Sequence, residues 1–251
     1  MSGHSKWSTI KHRKGAADAR RGKLFGRLTR AVEVASREGG GDPDANPTLA
    51  DAIQRAKDNS VPKDTIERAV KRGAGELEGT SYEAVQYEGY GPNGVAVLVD
   101  CLTDNRNRTA SDIRSIFTKN GGSLAEPGAV GYLFSRRGQV VLGSDGVTED
   151  DILAAGLDAG LEDVTIEDHR VIAWCAPTDT RGLREALEGK GLPVREAAST
   201  MVPSTLVPIT ERDAVKRLLR LLDAIDDNDD VQDLYSNEDI PDEVIPELSA
   251  E

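Results

Sequence analysis

At residues 73–79 (Gly-Ala-Gly-Glu-Leu-Glu-Gly) the hydrophobic period of this chain changes from the helical value to two, and no other feature restricts its fold as much. Upstream, Leu24, Leu28, Val32 and Ala35 recur at spacings of 4, 4 and 3, flanked by Phe25 and Ala31, which predicts a helix over residues 18–37. Two shorter helices are expected at 47–59, through Leu49, Ala52, Ile53 and Ala56, and at 62–72, through Ile66, Ala69 and Val70. Pro62 suits a first helical turn and Gly73 a C-terminal cap. Gly39-Gly40-Gly41-Asp42-Pro43 separates the first helix from the second, so residues 18–72 read as a three-helix bundle. Residues 2–15 are too polar to form a core of their own.

Downstream, strands are expected at 82–90 and 94–102, a helix at 108–120 and a strand at 129–134. Next come a strand at 139–143, a helix at 148–159, strands at 163–167 and 171–176, a helix at 179–188 and a strand at 194–202, a βαββαβ order in one piece. A strand at 205–209, a helix at 211–225 and a strand at 231–235 complete a second βαββαβ order begun by the elements of 94–134. The expected fold class is α+β, an N-terminal three-helix domain followed by two ferredoxin-like (split βαβ) α/β domains, one inserted in the other. The expected division is 1–75 for the basic arm and bundle, 80–135 plus 204–240 for a discontinuous α/β domain, 136–203 for the inserted one, and 241–251 for an acidic tail.

The longest aliphatic run, Val95-Ala96-Val97-Leu98-Val99, is far shorter than the roughly 20 residues that cross a bilayer, so no membrane partner is expected. The cationic start lacks the apolar block of a secretory signal, while its Arg-rich, acid-poor character leaves a mitochondrial transit peptide as an alternative. Cys101 and Cys175 sit far apart in apolar stretches, which excludes a disulfide framework and suits a cytoplasmic protein.

The net charge of −13 conceals a division. Residues 1–75 hold 16 Lys+Arg and 9 Asp+Glu, a balance of +7, whereas the rest hold 15 and 35, a balance of −20. Nine cations and one acid, Asp18, occupy the first 30 positions. On the first helix, Arg20, Lys23, Arg27, Arg30 and Arg37 share a face away from the apolar one, and that helix offers them few carboxylates. A bare stripe of this kind suits an external phosphate polymer, with a solvated basic surface as the plainer alternative. Ahead of it, Gly3 to Lys14 mixes cations with hydroxyl donors, an indole and imidazoles able to stack on unpaired bases, although Trp7 and Ile10 would equally dock the arm on the bundle.

Other motifs carry less. Gly89-Tyr90-Gly91-Pro92-Asn93-Gly94 has the spacing of a dinucleotide loop but joins two expected strands, and Pro92 removes a donor, so a hairpin turn is the reading. Asp226, Asn228 and Asp230 imitate a calcium loop, yet Val231 stands where Gly is needed and Asn237 where a bidentate Glu belongs. His4 and His12 lack further ligands for zinc, His169 stands alone, and Cys101 has no evident His partner. Neither a G-x-S-x-G elbow nor a phosphate-binding G-x-x-x-x-G-K-[ST] loop occurs. No catalytic residue, metal or cofactor is therefore assigned, and the chain is read as a non-enzyme.

The opening Ser2-Gly3-His4-Ser5-Lys6-Trp7-Ser8-Thr9-Ile10-Lys11-His12-Arg13-Lys14, followed by Asp18, Arg20, Arg21, Gly22 and Lys23, resembles the start of the YebC family. So do Val61-Pro62-Lys63-Asp64-Thr65-Ile66-Glu67-Arg68-Ala69, Tyr87-Glu88-Gly89-Tyr90-Gly91-Pro92, Leu102-Thr103-Asp104-Asn105-Arg106-Asn107-Arg108-Thr109, Gly121-Gly122-Ser123-Leu124 and Asp230-Val231-Gln232-Asp233-Leu234-Tyr235-Ser236-Asn237. The resemblance spans almost the whole chain. It implies a three-domain cytoplasmic protein without enzymatic activity that acts in gene expression, in a family whose members are described both as DNA-binding transcriptional regulators and as translation factors on ribosomes. Because the chain starts at the family motif, a cleaved targeting peptide would destroy it, which favours a bacterial cytoplasmic member.

Together these readings make His4, Lys6, Trp7, Lys11, Arg13, Lys14, Arg20, Arg21, Lys23, Arg27 and Arg30 the candidate nucleic-acid contacts. Ribosomal or transfer RNA, with the ribosome as partner, is the favoured target because the acidic body resists long bare duplex; promoter DNA is the alternative. Arg106 and Arg108 form a candidate second anion site at a helix start, beside the competing reading of capping and an interdomain salt bridge. A reading of another class is an enzyme or small-anion binder using the cleft between the α/β domains.

Overall fold

The computed structural model describes residues 17–167, 170–241 and 244, with side chains from Arg21 onward except at 167. The bundle consists of α1 (Ala17–Gly39), α2 (Pro47–Asp58) and α3 (Lys63–Gly73). Asn46 starts α2 by accepting from the Leu49 N–H at 3.1 Å, while its amide donates to the carbonyls of Ala35 (2.8 Å) and Gly40 (2.9 Å). One side chain thus caps one helix and ties down the end of another. Helix α3 closes on α1 through Gly73, where a Cβ would stand 2.3 Å from the Glu33 carbonyl oxygen. The bundle core, including Leu28, Val32, Leu49, Val61, Ile66 and Ala69, draws every member from residues 25–70.

The next elements are β1 (Glu83–Tyr90), β2 (Ala96–Thr103), α4 (Arg106–Lys119) and β3 (Ser123–Leu124). Then follow β4 (Phe134–Gly143), α5 (Glu149–Gly156), β5 (Leu161–Glu167), β6 (Arg170–Cys175), α6 (Thr180–Gly189) and β7 (Val194–Pro203). The chain continues with β8 (Val207–Pro208), α7 (Arg212–Asp226), β9 (Val231–Ser236) and β10 (Glu238–Asp239). Strands β4 to β7 pair in the order β5-β6-β4-β7, the antiparallel ferredoxin-like arrangement expected from the pattern, over a core that includes Val140, Leu142, Ile152, Ala173, Leu183 and Leu187.

The other sheet, β3-β1-β2-β9, keeps four strands backed by α4 and α7, but two of its strands differ from expectation. The 205–209 segment lies outside it, because β8 pairs in parallel with β10 as a separate ribbon, and β1 fills the inner position instead. A five-residue hairpin loop, 91–95, brings β1 to β2 at small entropic cost, whereas Pro208 deprives its segment of a ladder donor. The expected strand at 129–134 is a turn up to Leu133, with β3 taking the sheet edge. The cause is Glu88, whose carboxylate accepts the N–H groups of Gly128 (2.7 Å), Val130 (2.6 Å) and Gly131 (2.7 Å) and so removes them from any ladder. Burial pushes the Glu88 carboxyl up, yet these three donors together hold it below the usual carboxylate range. Gly89 beside it admits Phe117, since a Cβ there would stand 2.6 Å from the ring.

The two sheets meet through buried Ala96, Leu98, Val130 and Phe134, packed with Met201 and Tyr235. Phe134 pairs with Pro203, and the Ser204 N–H donates to the Leu133 carbonyl at 2.8 Å, so the β4–β7 module leaves and rejoins the chain at one point.

Candidate nucleic-acid interface

Positions 23, 27 and 30 share one face of α1 because i, i+4 and i+7 stack along a helix. That face lies against the end of α7 and the loop after it. Lys23 Nζ is 3.1 Å from Asp227 Oδ1 and also donates to the Asp227 carbonyl. Arg27 Nη1 is 2.8 Å from Asp226 Oδ1, and its Nη2 donates to the Asp226 carbonyl. Arg30 Nη1 donates to the carbonyls of Asp229 (2.7 Å) and Leu102 (3.2 Å), stands 3.9 Å from Asp230 Oδ1, and places its guanidinium 5.0 Å from the Tyr82 ring centroid. A helix C-terminus leaves carbonyls without intrahelical partners and carries partial negative charge, so cations from α1 complete the end of α7.

The expectation of a bare stripe is thereby corrected for Lys23, Arg27 and Arg30. Their counterions lie about 200 residues along the chain, at separations of 199 and 204, beyond the reach of an i,i+4 rule. Arg37 of the same stripe is held by the Thr80 carbonyl at 2.7 Å and by Glu33 at 3.6 Å. Arg21 is exposed and lies 5.2 Å from the Phe25 ring centroid. His4, Lys6, Trp7, Lys11, Arg13 and Lys14 lie outside the described residues, as does the Arg20 side chain, although position 20 belongs to α1.

At the start of α4, Asn105 Oδ1 accepts from the Arg108 N–H at 3.1 Å. Arg108 Nη2 is 2.9 Å from both Asp104 Oδ1 and Asp230 Oδ2, and Arg106 is 3.2 Å from Glu83. Capping and salt bridges within the discontinuous α/β domain, rather than between domains, thus engage Arg106 and Arg108, whose side chains stay partly exposed. Asp230 also accepts from Thr109 Oγ1 at 2.6 Å. Burial pushes its carboxyl up, but the Thr109 hydroxyl and the Arg108 guanidinium outweigh it, so the group titrates below its ordinary value.

Sequence reasoning overlooked a second set of ties. Arg55 of α2 stands 2.9 Å from Asp233 of β9 and 3.8 Å from Glu196 of β7. Asp233 faces Asp100 across the β2–β9 pair. Burial raises the Asp100 carboxyl, with Gln86 at 2.8 Å only partly offsetting it, while for Asp233 burial is outweighed by the Arg55 charge and the group is held low. Arg184 of α6 grips Asp58 with both nitrogens (2.5 and 2.9 Å), and Arg181 reaches Asp51 at 2.6 Å. Between them lies a cleft of about 650 Å³ lined by Pro43, Ile53, Arg55, Pro177, Arg181 and Arg184. Among the described residues no group of three His, Cys, Asp or Glu side chains forms a metal centre. For the α1 contacts the available signal was the acid run Asp226-Asp227-Asn228-Asp229-Asp230, whose four carboxylates are opposite in sign to the cations of α1.

Of the 89–94 segment, Gly89 and Tyr90 end β1 and the rest lies in the hairpin loop 91–95, closed by the Gly91 N–H donating to Val95 O at 2.8 Å. Both cysteines are buried and free, and burial pushes the Cys101 thiol up to about 12, as suits core packing. No described helix is long and apolar enough to cross a membrane.

A bundle that precedes two four-stranded antiparallel sheet modules, one interrupting the other, defines a recognisable class. Residues 5–76 match the model of the TACO1/YebC protein N-terminal domain, and residues 82–238 match that of the TACO1/YebC second and third domain. The chain belongs to the TACO1/YebC family. It is 54% identical over 250 residues to a probable transcriptional regulatory protein of Thermobifida fusca, covering 99% of this chain and 100% of that one. A probable transcriptional regulatory protein of Mycolicibacterium gilvum is 54% identical over 252 residues, with 100% of both chains covered. The crystal structure of a conserved hypothetical protein from Aquifex aeolicus superposes with a TM-score of 0.85 at 44% identity, over 95% of this chain and 98% of that one.

Proposed function

We propose that this chain is a non-enzymatic, nucleic-acid-binding regulator of gene expression that works in the cytoplasm through residues 1–75, with ribosomal or transfer RNA, on the ribosome, as its target. The observation that carries the reading is the charge inversion along the sequence, +7 before the glycine-rich joint and −20 after it. A head of this sign attracts phosphate, and a body of the other sign repels long naked duplex. Relatives that match the full length are named probable transcriptional regulatory proteins, which supports a regulator. The first contacts fall to Lys6, Lys11, Arg13, Lys14, Arg20 and Arg21, with Trp7 and His4 stacking on unpaired bases. Promoter DNA is the second reading, favoured by the same names.

Filter binding over a salt series tests the proposal. With about five phosphates engaged, log K against log salt should fall with a slope near −3.5 on single-stranded RNA or −4.5 on duplex DNA. Sedimentation of lysate through sucrose at low and high salt separates the two targets. A flat salt series removes the mechanism, and absence from ribosomal fractions at both salts removes the translation reading.

A further inference from the structure

Resting on the nucleic-acid reading above, we propose that residues 226–230 are a built-in competitor for phosphate, which occupies the cationic face of α1 until a polyanion displaces it. The segment offers Lys23 and Arg27 a carboxylate and a carbonyl oxygen each, the oxygen-rich environment that a phosphate backbone also presents. Access is exclusive, because the Arg27 and Asp226 side chains are only 12% and 16% exposed and no second anion reaches Arg27 while Asp226 stays in place. The fit is also incomplete: Arg27 Nε is buried with no hydrogen-bond partner among the described residues, so the internal ligand leaves one donor unmet.

Nothing in the bundle's own core prevents exchange. Its apolar cluster is self-contained, and its ties to the sheets through Arg27, Arg30, Arg55 and Asp58 are ionic or made to backbone carbonyls. Such contacts weaken together when a competing polymer of charge arrives, whereas an apolar seam would not. Binding therefore proceeds in two stages. The arm and Arg21 make the first phosphate contacts, and Lys23, Arg27 and Arg30 then trade the 226–230 segment for the polymer.

The test uses the full chain, a fluorescent oligouridine RNA as probe, and the pair Asp226→Asn, Asp227→Asn, which leaves every cation of α1 in place. At fixed moderate salt the double variant should bind about tenfold more tightly than wild type, since two competing charges are gone. Asp227→Asn alone, at a side chain 81% exposed, gives a smaller gain in the same direction and keeps the test open should the double variant fail to fold. Hydrogen exchange at residues 226–231 should accelerate when RNA is added to wild type. If wild type binds RNA and the variants bind no tighter, or exchange there slows, the competitor is overturned while the nucleic-acid reading stands. If neither wild type nor variant binds at low salt, both fall together.

Discussion

The helical bundle and the β4–β7 module both dock on the β3-β1-β2-β9 sheet, but by opposite chemistry. The module is held by an apolar seam in which Leu98 and Val130 are fully buried and Phe134 nearly so. The bundle is held by Arg27–Asp226, Arg30 with the 229–230 segment, and Arg55–Asp233, with no apolar side chain from another region in its core cluster. Burial of apolar surface does not depend on charge screening, while ion pairs do, the more exposed Lys23–Asp227 and Arg55–Asp233 more than the nearly buried Arg27–Asp226. The molecule therefore combines one joint built to stay shut with another that solution conditions can loosen.

The largest effect is expected where the apolar joint is cut. Phe134→Ala should cost about 3–5 kcal/mol through lost burial and the cavity left behind, read as a lower urea midpoint. An effect under about 1 kcal/mol would show that the seam is not the permanent joint. Smaller is the response of the ionic joint. Raising salt from about 0.01 to about 1 M shortens the screening length from about 30 to about 3 Å, and protease cleavage within residues 74–82 should then accelerate while cleavage near Ser204 stays constant. Equal acceleration at both places would erase the distinction.

The smallest concerns Asp100, which faces the like charge of Asp233. Because its folded pKa is raised, the protonated form is the one the fold prefers, and ionisation lowers stability as pH rises through the folded value. Asp100→Asn should therefore stabilise by about 0.5 kcal/mol at pH 7, with the gain vanishing below the unfolded value near pH 3.9, as thermal melts across pH would show. A loss at pH 7 would mean that the carboxylate is favourably paired after all.

Local elements were legible because apolar period and breakers determine them. The bundle helices fall within two residues of expectation, and the β4–β7 module has the predicted order. What escaped depends on partners distant in sequence. Exclusion of the 205–209 segment follows from β8 pairing with β10, and the turn at 131–133 follows from one carboxylate, Glu88, reaching three amides across the sheet. The same cause hid the state of the α1 cations. Periodicity placed Lys23, Arg27 and Arg30 on one face correctly, yet their counterions sit at the end of α7 and in the loop after it, where only the folded chain brings them. Asp226 and Asp230, read as parts of a failed calcium loop, prove to be partners of Arg27 and Arg30, while Asn228 accepts the Asp230 N–H within the loop.

The bond between Ser204 and Leu133 has a consequence for engineering and for ancestry alike. A guest stretch that departs and returns through neighbouring backbone atoms needs no rearrangement of its host to be spliced in or cut out. A short bridge in place of residues 134–203 meets the same geometry, provided that the oily patch around Leu98, newly wetted, is repainted with hydrophilic side chains.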